Sequence, residues 1–124
     1  MPTKKEDVNK NHPNLKAREM PKHIAAEKAV LCCILVDDKA AQEIFPMLEP
    51  EDFYLRAHTT VYDAMRTVAY RNAPVDLVTL VQQLEEMGEL ENCGGVAYLT
   101  DIAGEMPSAA NFKHYVGIVK KNAK

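Results

Sequence analysis

Residues 21–36 read PKHIAAEKAVLCCILV, and this stretch decides the fold. Ala26, Ala29, Val30, Cys33 and Ile34 recur at i, i+3, i+4, i+7 and i+8, one face of a helix with 3.6 residues per turn. Leu31 and Leu35 add a second apolar flank, so the helix is expected to sit centrally, buried on most sides. Its apolar run, Ala29 to Val36, is the longest in the chain, and a membrane span needs about 20 such residues. This is therefore the core helix of a water-exposed domain and not a membrane anchor.

The same period continues downstream. Asp37 or Asp38 can cap a second helix striped by Ala40, Ala41, Ile44, Phe45 and Leu48. Pro46 limits it, Pro50 suits the first turn of the next segment, and Phe53 and Tyr54 fall in a short turn. Val61, Met65, Val68 and Ala69 predict a third helix from about His58 to Arg71, which Asn72 can end in the left-handed conformation. Asp76 is a good cap for a fourth, with Leu77, Leu80, Val81, Leu84 and Met87 in register and Gly88 as its stop. Gly94-Gly95 opens a fifth helix carrying Val96, Leu99, Ile102 and Ala103. Ser108 caps a sixth carrying Phe112, Tyr115, Val116 and Val119. No segment alternates over a strand's length. The expectation is an all-α, six-helix domain: a bundle over about 21–90, then an antiparallel helical hairpin over about 95–121. Residues 1–20 lack a period and read as a flexible arm.

The 124 residues make room for one domain, and 47% hydrophobic with 27% charged residues suits a folded chain. There is no secretory signal pattern, and three cysteines are an odd count for a disulfide framework, so the expected setting is cytoplasmic. The net charge of −3 conceals three zones. Residues 1–22 hold six bases and three acids, residues 23–112 five bases and fifteen acids, and residues 113–124 four lysines and no acid. Phosphate neutralisation supplies most nucleic-acid affinity, so the acidic body is not expected to hold DNA by itself.

The chemistry is sparse. Gly94-Gly95 lacks a following lysine and builds no phosphate loop. Cys32 and Cys33, adjacent on a helix, point about 100° apart and neither chelate one metal nor pair readily; they read as small packing residues. His12, His23, His58 and His114 are dispersed. No catalytic, cofactor-binding or metal-binding residue is expected. The run Glu85, Glu86, Glu89, Glu91 is a solvated face or a docking surface for a basic partner. A two-helix hairpin has little core of its own, so its apolar faces must pack on the preceding bundle or on another molecule. For the second case the candidate self-association surface is Tyr98, Leu99, Ile102, Phe112, Tyr115, Val116 and Val119.

Several segments in order carry a resemblance: AAEKAVL (25–31), LEPEDFY (48–54), His58 with VYDAM (61–65), PVDLVTL (74–80), GEL (88–90), GGVAYL (94–99), and PSAAN (107–111) with Tyr115 and Ile118-Val119. From about Pro21 to Lys121 the chain resembles the N-terminal domain of the DnaB-type bacterial replicative DNA helicase. The resemblance implies an all-helical domain without chemistry of its own. It implies self-pairing, dimers that become a trimer of dimers in the hexamer, recruitment of primase, and contact with a helicase loader. ATP and Mg belong to a separate ATPase domain of the parent protein, which unwinds duplex DNA. The sequence departs from the family at Cys32 and Cys33, where glycine and another small residue are usual, and at Asn72, in place of a common glycine. It departs again at Gly104, where a helix former is more usual. Gly117 lies within the last helix, where it costs up to about 1 kcal/mol against alanine. Two other readings remain open: a stand-alone helical adaptor, such as a helicase loader or the helicase-binding domain of a primase, and a small cysteine-dependent enzyme.

Overall fold

The computed structural model describes residues 21–107 and 109–123. They form six α-helices and, among the described residues, no strand: α1 Lys22–Val36, α2 Asp38–Ile44, α3 Arg56–Tyr70, α4 Leu77–Glu86, α5 Gly95–Ala103 and α6 Phe112–Lys121. Short 3-10 turns at Pro50–Asp52, Glu91–Cys93 and Ala109–Asn111 join them. The all-α expectation holds. The N-terminal arm and the Ser108 cap lie outside the described residues.

The stops and starts obey local chemistry. The Asp37 carboxylate accepts the Lys39 and Ala40 N–H groups at 3.0 and 3.2 Å, opening α2 one residue after α1 ends. Asp76 and Thr79 make a reciprocal cap on α4, at 2.9 Å to the Thr79 N–H and 3.0 Å from the Asp76 N–H to the Thr79 hydroxyl. Asn72 (φ 61°) takes the left-handed turn after α3, and Gly88 (φ 72°) does so after α4. α3 begins at Arg56, two residues before the sequence reading, because Leu55 already holds the extended conformation that precedes a helix. Gly104 closes α5 as its C-cap, where a helix former has no advantage.

α1 is the axis. From Ile24 to Ile34 it is buried almost all round, with Val30, Leu31, Cys32 and Cys33 sealed from solvent. α2, α3, α5 and α6 all pack on it, α6 most extensively, while α4 reaches the core through α3 and α5. The adjacent cysteines fit this place because they are small; Cys32 Sγ approaches the Ala103 carbonyl at 3.5 Å, at the end of α5. Leu31, Ile44, Met65, Leu84 and Ile102 fill one continuous core.

The Asn72 turn generates a prediction. Asn72→Ala forces a Cβ-bearing residue without a compensating side-chain bond into φ > 0 and is expected to cost about 1 kcal/mol, whereas Asn72→Gly is expected to be neutral or stabilising. Urea denaturation of both variants checks this; equal midpoints would show that the turn tolerates either backbone.

Candidate functional site

The seven side chains expected to pair copies are brought together, but mostly inside the chain. Leu99 and Ile102 are fully buried, and Tyr98, Phe112, Val116 and Val119 are 4%, 9%, 6% and 1% exposed. Within one chain the last two helices pack on the bundle. α5 and α6 each rest on α1. Tyr115 alone of the seven is half-open. It lines an open groove of about 620 Å³ between α1 and α6, with Lys22, Ala25, Ala29, His114 and Ile118. As the chain stands these seven are therefore not a bare apolar surface, and the outer sides of the helices are what a neighbour meets.

The most organised polar site is internal. Glu27 projects from α1 with 1% exposure, and one carboxylate oxygen lies 2.7 Å from His58 Nδ1 on α3. The backbone N–H groups of Tyr54 and Leu55 donate to the same carboxylate. The other imidazole nitrogen, Nε2, is 2.7 Å from the Tyr98 hydroxyl on α5, and the two rings stack 5.9 Å apart. A carboxylate only accepts, so Nδ1 carries a proton toward Glu27. In the neutral ring, Nε2 then accepts from the tyrosine. Beside it, Lys28 stands 5.4 Å above the Tyr98 ring and 3.5 Å from Glu105, with Asp101 at 4.0 Å. Burial pushes the Tyr98 hydroxyl well above its usual range, with the Glu27 charge adding to it. Glu27, His58 and Tyr98 are all buried, so this chain of bonds locks α1, α3 and α5 together and does not meet a substrate.

Sequence reasoning missed this site. Its signal was a charged pair, Glu27-Lys28, beside the longest apolar run of the chain, and a histidine in the buried register of α3. The thiols point away from chemistry. Cys32, Cys33 and Cys93 are buried and free, and burial pushes Cys33 and Cys93 up to about 11, far from a reactive thiolate at neutral pH. That weighs against a cysteine-dependent enzyme. Among the described residues no cluster of three His, Cys, Asp or Glu side chains is placed to hold a metal, and no helix is long and apolar enough to cross a membrane.

Outside, the charge is divided. Glu85, Glu86 and Glu91 are exposed on and beyond α4, while Lys113, Lys120 and Lys121 are exposed on α6. The acidic run is thus largely solvent-facing, with Glu89 half-buried.

Comparison with known proteins agrees with this architecture. Residues 19–121 match the family described as DnaB-like helicase N terminal domain. The chain is 41% identical over 109 residues to "Replicative DNA helicase DnaC" of Bacillus subtilis (strain 168), covering 88% of this chain and 24% of that protein. It is 43% identical over 103 residues to "Replicative DNA helicase DnaB" of Geobacillus stearothermophilus, covering 83% of this chain and 23% of that protein. The crystal structure of the N-terminal domain of DnaB helicase from Mycobacterium tuberculosis is similar, with a TM-score of 0.76 and 38% identity. That match covers 79% of this chain and 70% of the other. The chain thus spans less than a quarter of the length of these two full-length relatives.

Two outcomes test the site. Phe112→Ala is expected to cost about 3–5 kcal/mol of folding stability even in dilute solution, because the ring belongs to the chain's own core. A loss seen only at concentrations where copies associate would place it at an interface. Tyr98 and Tyr62 are both raised by burial, so both must stay protonated in the native state. Above pH about 10 the unfolded chain ionises these two tyrosines, while the folded chain holds them protonated. This contribution to stability is therefore full below that pH and is lost as pH rises further. Thermal melts should show Tm falling as pH rises above about 10, and a flat Tm there would contradict the burial of these hydroxyls.

Proposed function

Because the chain belongs to the DnaB-like helicase N-terminal domain family, we propose that it is the assembly and partner-docking domain of a replicative DNA helicase. The carrying observation is the family match across 19–121, reinforced by a solved helicase N-terminal domain with the same helical architecture. The interior supports a non-catalytic role. The Glu27, His58 and Tyr98 cluster is sealed, and the Cys33 and Cys93 thiols are held protonated. In this reading the chain associates with further copies of itself, presents a docking surface to primase, and contacts a helicase loader. The parent protein unwinds duplex DNA at the replication fork in the cytoplasm. ATP and Mg serve the parent's ATPase domain and not this one.

DNA is not held by the folded body in this reading. Residues 23–112 carry fifteen acids against five bases, which repels a phosphate backbone. The acidic run after Gln83 and the lysines of α6 instead suit charged protein partners.

Light scattering over a concentration series tests the reading. The mass is expected to rise above the 13.9 kDa of one chain as concentration increases. A constant 13.9 kDa at every concentration would contradict self-association. The coding sequence after Lys124 separates the helicase from a stand-alone adaptor: a phosphate-loop ATPase domain is expected there, and its absence from the gene would favour the adaptor.

A further inference from the structure

We propose that the cleft between the end of α3 and the side of α4 binds an organic cation, a guanidinium or alkylammonium group, whose N–H donates to Gln83 Oε1. The site lies within one chain, so it stands whether or not copies associate.

Gln83 is the first observation. It sits in the buried register of α4 with Leu80 and Leu84, and it is 7% exposed. Among the described residues its Oε1 is the one buried side-chain nitrogen or oxygen without a hydrogen-bond partner. An unpaired buried acceptor costs stability, and an apolar side chain of the same length would fill this place without that cost. The side chain lines an open cleft of about 560 Å³ with Val68, Arg71, Ala73, Glu85 and Glu86. A carbonyl oxygen only accepts, so what completes it is a donor.

The sign of the cleft is the second observation. Glu85 is exposed and makes no ion pair among the described residues, while Glu86 meets Arg71 at 3.8 Å. Two carboxylates therefore share one guanidinium. α3 also ends here, and its last turn holds no basic residue, so the partial negative charge of a helix end adds to the field. The donor that this surrounding favours is a cation. No three acidic, histidine or cysteine side chains among the described residues are placed to hold a metal, which points to an N–H cation rather than a bare ion. Val68 and Ala73 offer an apolar surface along which its methylene stem can lie.

Oε1 is covered in the free chain, so the ligand must part the side chains of the cleft to reach it. The Arg71–Glu86 contact is long, and its side chains are 53% and 69% exposed, so it yields readily. An incoming cation takes the place of Arg71 at Glu86 and donates its remaining N–H to Gln83.

Amide NMR of the isotope-labelled full chain tests this with three probes: N-acetyl-L-argininamide, spermidine and acetate. The Gln83 side-chain amide and the backbone amides of Ala73 and Glu85 should shift saturably with at least one of the two cations and not with acetate. Tighter binding of the arginine amide assigns the site to a side chain of another protein, and tighter binding of spermidine assigns it to a free polyamine. Gln83→Met should abolish the saturable shifts yet raise Tm, a split that a merely structural glutamine would not produce. Glu85→Gln, at an exposed position, should leave the fold intact and weaken binding about twofold to fivefold. No saturable shift with either cation would show that water alone completes Oε1 and would overturn the site. Unchanged affinity in Gln83→Met, or a response to acetate alone, would overturn it equally.

Discussion

A carboxylate sealed inside a helical domain is tolerated only when its lone pairs are taken up, and Glu27 sets that condition for this fold. It draws in two backbone N–H groups from the turn before α3 and the His58 ring from α3 itself. The ring's far nitrogen then reaches Tyr98 on α5. A single acidic side chain on α1 thereby fixes the start of α3 and the depth of α5. Its neighbour Lys28, about 100° around the helix, carries the same organisation outward through Glu105 and Asp101. Apolar packing alone leaves helices free to slide by part of a turn. The hydrogen-bonded chain does not, because each shift strands a buried partner at a cost of about 1–3 kcal/mol.

The helices were legible in the sequence because their signals are local. The i, i+3, i+4 spacing in α1, the Asp37 and Asp76 caps, and the turn residues Asn72 and Gly88 each act within a few positions of where they stand. The internal polar site was not legible, because its partners are 31 and 40 residues apart and charged residues on helices usually face water. Periodicity also shows that Phe112, Val116 and Val119 share a face without showing what covers that face. The cover proved to be α1 of the same chain, so residues read as an interface between copies are largely interior.

This changes where the function of the domain is to be sought. Its interior is complete and inert, with the Cys33 and Cys93 thiols well above neutrality and the buried histidine committed on both nitrogens. The outside of the domain carries exposed acids on α4, exposed lysines on α6 and an open groove at Tyr115. Such a body is suited to being held in register with its neighbours. That agrees with its place in a family of helicase N-terminal domains and with its spanning less than a quarter of the Bacillus and Geobacillus helicases.

The central claim is that α5 and α6 complete the core of the single chain and present only their outer sides to other molecules. Native-state hydrogen exchange of the α5 and α6 amides, tracked from dilute to concentrated solution, tests it most directly. Protection equal to that of α1, already present in dilute solution and unchanged on concentration, is the expected result. Fast exchange in dilute solution, with protection appearing only as copies associate, would show that these helices are completed by a partner and would contradict the claim.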